Sequence, residues 1–167
     1  MTKTNAQFKI KESPLEMEGH ITITKTCSIT GKILETQSFK NRIMLGTNTG
    51  KNLIMDRLAG DNSYSLNILY GEIGTGSTTP ADGDVALATP SVREPKTTAV
   101  VASNVATFQF FFPNVDLPNG TYNEFGSFVD GSATIGTGQI FNRALFASPY
   151  AKASNEDTTV QLAITII

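Results

Sequence analysis

The chain has 167 residues, 40% of them hydrophobic and only 17% charged, with one cysteine, one histidine and a formal net charge of −2. That length and apolar content suit one well-cored domain and argue against two domains or wholesale disorder. The near-neutral balance and singly scattered basic residues exclude a general field for nucleic acid, the lone Cys27 excludes an internal disulfide, and no apolar run is long enough for an ordinary membrane-spanning helix.

In place of charge the chain carries Thr, Ser, Asn and Gly, which suit sheet surfaces and turns and predict an all-β fold. Residues 1–19 mix Lys, Glu, Ser and Pro with few clustered apolar side chains. They read as an extended N-terminal arm, and without an apolar core they do not read as a signal peptide. Phe8, Ile10, Leu15 and Met17 are spaced apolar anchors in it, candidate assembly contacts that an extended strand could plug into a neighbouring subunit. Residues 20–167 read as a single β-sandwich domain. In HITITKTCSIT, Ile21, Ile23, Cys27 and Ile29 share one face with Lys25 as the interruption, which is the period-two pattern of a half-buried strand. Gly31-Lys32 predicts a turn into a return strand, KILETQSFKNRI.

One helix is predicted over 47–59, capped by Thr47 or Asn48 and stopped by Gly60, with Leu53, Ile54 and Leu58 as its apolar stripe against the sheet. The segment LNILYGEIG predicts a short strand, and GTGSTTPADGDVALATP a loop. Strands follow over 96–102 and 105–112, turning at Ser103-Asn104, with Phe108, Phe110 and Phe112 alternating toward the core. TYNEFGSFV, QIFNRALF and VQLAITII complete about eight short strands. The expected architecture is an antiparallel β-sandwich of jelly-roll-like type with one short helix, an antiparallel barrel being the alternative. Many short strands with little surface charge leave sheet edges to cover, which predicts a stable oligomer.

The chemical motifs are incomplete. Gly46 to Asn52, GTNTGKN, has three residues between its glycines and Asn52 where a phosphate loop needs a hydroxyl. Gly74-Thr75-Gly76 and Gly136-Thr137-Gly138 lack the third glycine and following helix of a dinucleotide fingerprint. His20 is the only histidine, which removes histidine-pair mechanisms and histidine-rich metal sites. Asp82-Gly83-Asp84 is a fragment of a calcium loop without its other ligands. Asp82, Asp84, Asp116, Asp130, Glu156 and Asp157 fall where turns are expected and read as ordinary solvated carboxylates. Glu124 and Arg143, on strands expected to be adjacent, form a candidate cross-strand ion pair that would fix register. No catalytic residue, cofactor or metal site is expected.

Three segments carry a resemblance when taken in order: NTGKNLIMDRLAGD, then GEIGTGSTTPADGDVALATP with VREP, then NEFGSFVDG and IFNRALF before a terminal apolar strand. Over roughly residues 48–167 the chain resembles a broad family of small tailed-bacteriophage virion proteins, described as tail-fibre-associated or minor structural proteins. Gly74, Thr75, Gly76, Thr78, Pro80, Ala81, Asp84, Ala86 and Leu87 match its Gly-Thr-Gly-x-Thr-x-Pro-Ala loop and the Asp-x-Ala-Leu after it. Glu124, Gly126, Phe128, Arg143 and Phe146 match its later Glu-x-Gly-Leu-Phe and Arg-x-x-Phe elements, with Ser127 in place of Leu. The resemblance implies a non-enzymatic structural protein of the virion, built in the bacterial cytoplasm and attached to the tail apparatus or capsid surface as a tail-fibre component or decoration protein. Its implied partners are itself, with a homotrimer expected by analogy, and other virion proteins, with no nucleic acid and no membrane. The alternative is a carbohydrate-binding module of the adsorption apparatus, which would present clustered exposed aromatics.

Overall fold

The computed structural model describes residues 16–167. Among them the chain forms eight antiparallel strands and one helix: β1 (Met17–Cys27), β2 (Ile33–Ile43), α1 (Gly50–Leu58), β3 (Ile68–Gly74), β4 (Pro90–Ala102), β5 (Val105–Phe112), β6 (Gly120–Val129), β7 (Gln139–Lys152) and β8 (Glu156–Ile166). Their order around the sheet is β1-β2-β7-β6-β3-β4-β5-β8, and β8 pairs back with β1. The all-β antiparallel class and the single short helix are as expected. The open sandwich or jelly roll is not, because the sheet closes into a barrel.

Closure comes from strands long enough to serve two partners. β4 pairs with β3 over Pro90–Pro95 and with β5 over Lys96–Ala102, the register slipping between Lys96 and Thr98. Pro95, which has no N–H to give, lies where one partnership hands over to the other. At the opposite corner β2 pairs with β1 as far as Asn41, then meets β7 through Arg42 and Ile43. Strands that turn a corner this way join two facing layers. The closure is not continuous: over Ile33–Asn41 β2 pairs with β1, and it meets β7 only at Arg42 and Ile43, so part of the β2 edge stays outside any ladder.

Eight strands enclose an interior just wide enough to be filled by side chains. Ile21 and Ile23 of β1, Phe110 and Phe112 of β5, Phe125 of β6, Tyr150 of β7 and Val160 and Leu162 of β8 fill it. The Phe110 and Phe125 rings meet at 5.5 Å between centroids. Gly71 makes the room, since a Cβ there would fall 2.8 Å from Phe110 and 2.9 Å from Phe125.

The helix starts three residues later than expected. Thr49 is its N-cap residue without a side-chain cap bond, and Gly60 stands beyond its end at a φ of +91°. Leu53 and Ile54 pack on the core, but Leu58 is exposed, so the apolar stripe is narrower than the sequence suggested. Gly50 is the second glycine of the incomplete phosphate motif. A Cβ there would fall 2.1 Å from the Met44 carbonyl oxygen, so close approach to the end of β2 accounts for it. β1 includes residues 17–19, the last three of the span read as an arm, and Met17 packs against the core. Phe8, Ile10 and Leu15 lie outside the described residues.

Candidate functional site: a charged row under the β3–β4 loop

The strand register places Arg93 of β4 opposite Glu72 of β3, Glu72 opposite Gly126 of β6, Gly126 opposite Arg143 of β7, and Arg143 opposite Arg42 of β2. Laterally paired residues share a face, so these five form a row across the outside of the barrel. Residues 75–89, which join β3 to β4, cover its Gly126–Arg143 part through Leu87, Thr78 and Asp84.

Glu124, two residues before Gly126 on β6 and on the same face, is fully buried and binds the loop directly. Its Oε1 accepts the backbone N–H of Gly76 at 3.1 Å and Thr89 at 2.8 Å, and its Oε2 accepts that of Ala88 at 3.1 Å. Oε2 also accepts from Arg143 Nε at 2.9 Å and lies 2.8 Å from its Nη2 in an ion pair. Arg143 completes the tie by donating to Asp84 Oδ2 at 2.5 Å and to the carbonyl and hydroxyl oxygens of Thr78 at 2.9 and 3.0 Å. One ion pair thus holds both limbs of the loop.

The glycines make this approach possible. A Cβ on Gly74 would meet Glu124 Oε1 at 2.9 Å and one on Gly76 at 2.3 Å. At Gly126 a Cβ would strike Leu87 at 2.9 Å, so the loop leucine occupies the gap in the middle of the row. Leu87 there joins Met44, Phe128 and Ile140 in a second apolar cluster, outside the barrel. Gly74, Gly76, Thr78, Asp84, Leu87, Glu124, Gly126, Phe128 and Arg143 are thus parts of one construction.

The other end of the row is a second buried pair that the sequence reading missed. Arg93 Nη1 donates to Glu72 at 2.6 Å, Nη2 donates to the Thr137 carbonyl at 2.8 Å, and the guanidinium lies 4.6 Å from both the Tyr70 and Phe128 ring centroids. The available signal was Glu72 itself, a carboxylate inside the apolar run LNILYGEIG, because such a charge needs a partner. At the exposed end, Arg42 donates to Asp82 at 2.8 Å and thereby holds that carboxyl below its usual range. Asp82 and Asp84 of the calcium-like fragment therefore serve two different arginines. Among the described residues, no three His, Cys, Asp or Glu side chains converge as metal ligands would.

Polar ties also line one end of the barrel interior. Lys25, the interruption in β1, points inward with its ammonium 2.8 Å from Glu35, 3.9 Å from Glu156 and 4.9 Å from the Tyr150 ring centroid. Burial raises the Tyr150 phenol pKa, and its hydroxyl shares a 2.6 Å hydrogen bond with Thr158. Lys152 donates to Asn114 and Asn119. Two carboxylates read as solvated turn residues correct that expectation. Glu156 and Asp157 belong to β8 and accept the Ala153 and Asn114 backbone N–H groups at 2.6 and 2.7 Å. His20 is exposed on β1.

The opposite mouth is apolar. A cavity of about 270 Å³ lies there, lined by Met17, Ile54, Ile68, Phe108, Phe141 and Ile164 among others. Phe108 thus borders this cavity, while Phe110 and Phe112 are fully buried. Beside the charged row, a trough of about 350 Å³ runs past Lys40, Arg42 and Arg143. Each of these cations already has a carboxylate partner.

No family model matches the chain, and neither the curated proteins nor the solved structures compared with it include a match.

Proposed function

We propose that the protein is a non-enzymatic structural subunit of a tailed-bacteriophage particle, working as an oligomer on the tail apparatus or capsid surface. The observation that carries this reading is the charged row. The positions that carry the resemblance to small virion proteins are the ones that tie the β3–β4 loop to β6 and β7. Their carboxylates and guanidiniums are engaged with each other and with loop backbone, so their work is to hold a surface in shape. An apolar mouth supports the assembly side of the reading, because exposed apolar recesses suit a protein partner.

Two measurements test this. Light scattering on the purified full chain across micromolar concentrations should give a stable multiple of the 17.9 kDa chain mass. Mass spectrometry of particles produced from the genome that carries the gene should find the chain in many copies per particle. A monomer at every concentration, or particles that lack it, would overturn the proposal.

A further inference from the structure

We infer that the open edge of β4, residues 97–102, pairs antiparallel with the same edge of a second copy of this chain, joining two barrels through one continuous sheet. The inference rests on the assembly reading above and supplies its contact. β4 pairs with β3 only as far as Pro95. From Lys96 to Ala102, among the described residues, its ladder partner is β5 alone. Residues 97–102, TTAVVA, are all exposed, Val100 at 60% and Val101 at 75%. Four of the six are β-branched and none is charged or proline, so the stretch lacks the guards that keep exposed edges from pairing. The β2 edge, by contrast, is guarded. It carries Glu35 and Lys40, its Phe39 ring lies 5.6 Å from that of Phe146 on β7, and its Gln37 side chain accepts the Ser148 N–H.

The hydrogen-bonding pattern fixes how two such edges fit. The Asn104 carbonyl accepts the Ile166 N–H at 3.0 Å, so at the start of β5 the backbone of Asn104 faces β8. Alternation then turns the backbone groups of Val105, Thr107 and Gln109 toward β4, where they meet Ala102, Val100 and Thr98. Ala99 and Val101 are left presenting N–H and C=O to the open edge. Antiparallel pairing about Val100 sets Ala99 of each copy opposite Val101 of the other, and each such pair exchanges both of its N–H···O=C bonds. Val100 meets Val100 across the two-fold axis, with Cα atoms about 4.5 Å apart. The edge is self-complementary in charge as well. The nearest charged residue in the strand, Lys96, falls opposite Asn104 of the other copy, and the two Lys96 residues end about 26 Å apart along the strands. A contact of this kind is isologous and closes at two copies.

The test uses full-length chains carrying Cys27→Ser, so that only introduced thiols react. Adding Val100→Cys should give a symmetric disulfide-linked dimer on mild oxidation, because a Cα separation of about 4.5 Å is within disulfide reach. Adding Thr98→Cys instead, on the same face of β4, should give about tenfold less or below, since the two thiols would lie about 13 Å apart along the strands. Without introduced cysteines, light scattering should give an even multiple of the chain mass. Val100→Lys, which sets two ammonium groups face to face on the axis, should halve that mass, while Val115→Lys, at an exposed valine beyond the far end of β5, should leave it unchanged. Equal linking by both cysteines would mean collision without register and overturn the inference, and so would an odd multiple of the chain mass. An oligomer that either fails to link through Val100→Cys or keeps its mass with Val100→Lys overturns it too, yet leaves the assembly proposal standing. Monomers at every concentration remove both.

Discussion

A methyl group added at Gly76 would lie 2.3 Å from a carboxylate oxygen of Glu124, whereas one added at Gly83, in the same loop, would meet nothing within 4 Å. Gly76→Ala should therefore cost about 1–3 kcal/mol, as forced overpacking does, while Gly83→Ala should stay within about 0.5 kcal/mol, like other surface changes. Urea denaturation of the two variants checks the contrast, and equal effects would mean that the carboxylate does not sit under the loop. Arg143→Met should be more damaging, by about 3–5 kcal/mol, because it leaves a buried carboxylate without its counter-charge. Combining it with Glu124→Gln should cost less than the two single losses added together, the sign of a coupled pair. Amide hydrogen exchange reports the loop separately: the Gly76, Ala88 and Thr89 N–H groups, which Glu124 accepts, should lose protection in Glu124→Ala while the core of β6 keeps it. The sequence made this pair visible as two opposite charges on neighbouring strands. It did not reveal the loop as their third member, since hydrogen bonds to backbone N–H groups leave no mark on residue types.

Among the elements, β1 and β2 show how a charge can belong to a core strand. Lys25 breaks the apolar alternation of β1, yet it lies inside the barrel because Glu35, across the hairpin on β2, binds its ammonium. That bond, with a second from Gln37, holds the Glu35 carboxyl below its usual range. A carboxyl whose folded pKa is depressed stabilises the fold above its unfolded pKa, about 4.3 for Glu, and the contribution is lost as pH falls through the folded value. Thermal unfolding of the wild type should therefore weaken as the pH drops below about 4.3, and Glu35→Gln should flatten that part of the profile. An unchanged slope would remove Glu35 from the account. Element types were readable because period-two alternation and turn residues are local signals: Gly31, Ser103 and Asn155 all take positive φ in hairpin turns. Element lengths were less readable. β4 begins six residues before the expected start at Lys96, and β7 runs on through Pro149. In both, a proline that reads as a stop is accommodated in the strand. The predicted helix stripe failed at Leu58, which lies in the last turn, past the part of α1 that touches the barrel.

At the scale of the whole molecule, closure is what the sequence hid. The pairing that closes the barrel joins Met17 to Ile166 and Cys27 to Glu156, strands from opposite ends of the chain, and no local pattern records such a partner. A sandwich and a barrel built from the same eight alternating strands differ mainly in the pairings at two corners, here β2 with β7 and β4 with its two neighbours. That topology also has a kinetic consequence. The β6–β7 hairpin forms between segments close in sequence, while the β1–β8 seam must bring together ends separated by nearly the whole chain, with a correspondingly larger loop-closure cost. Folding should be slow, in the range of about milliseconds to seconds usual for sheets dominated by non-local pairings. The seam should close after the main barrier. Ile21→Val in β1 and Val160→Ala in β8 should then act mostly by speeding unfolding, and Phe125→Leu in β6 mostly by slowing refolding. Stopped-flow folding and unfolding arms for the three variants decide it. If the seam variants slow refolding as much as the hairpin variant does, β1 and β8 pair at the barrier, and the barrel forms by closing its ends first.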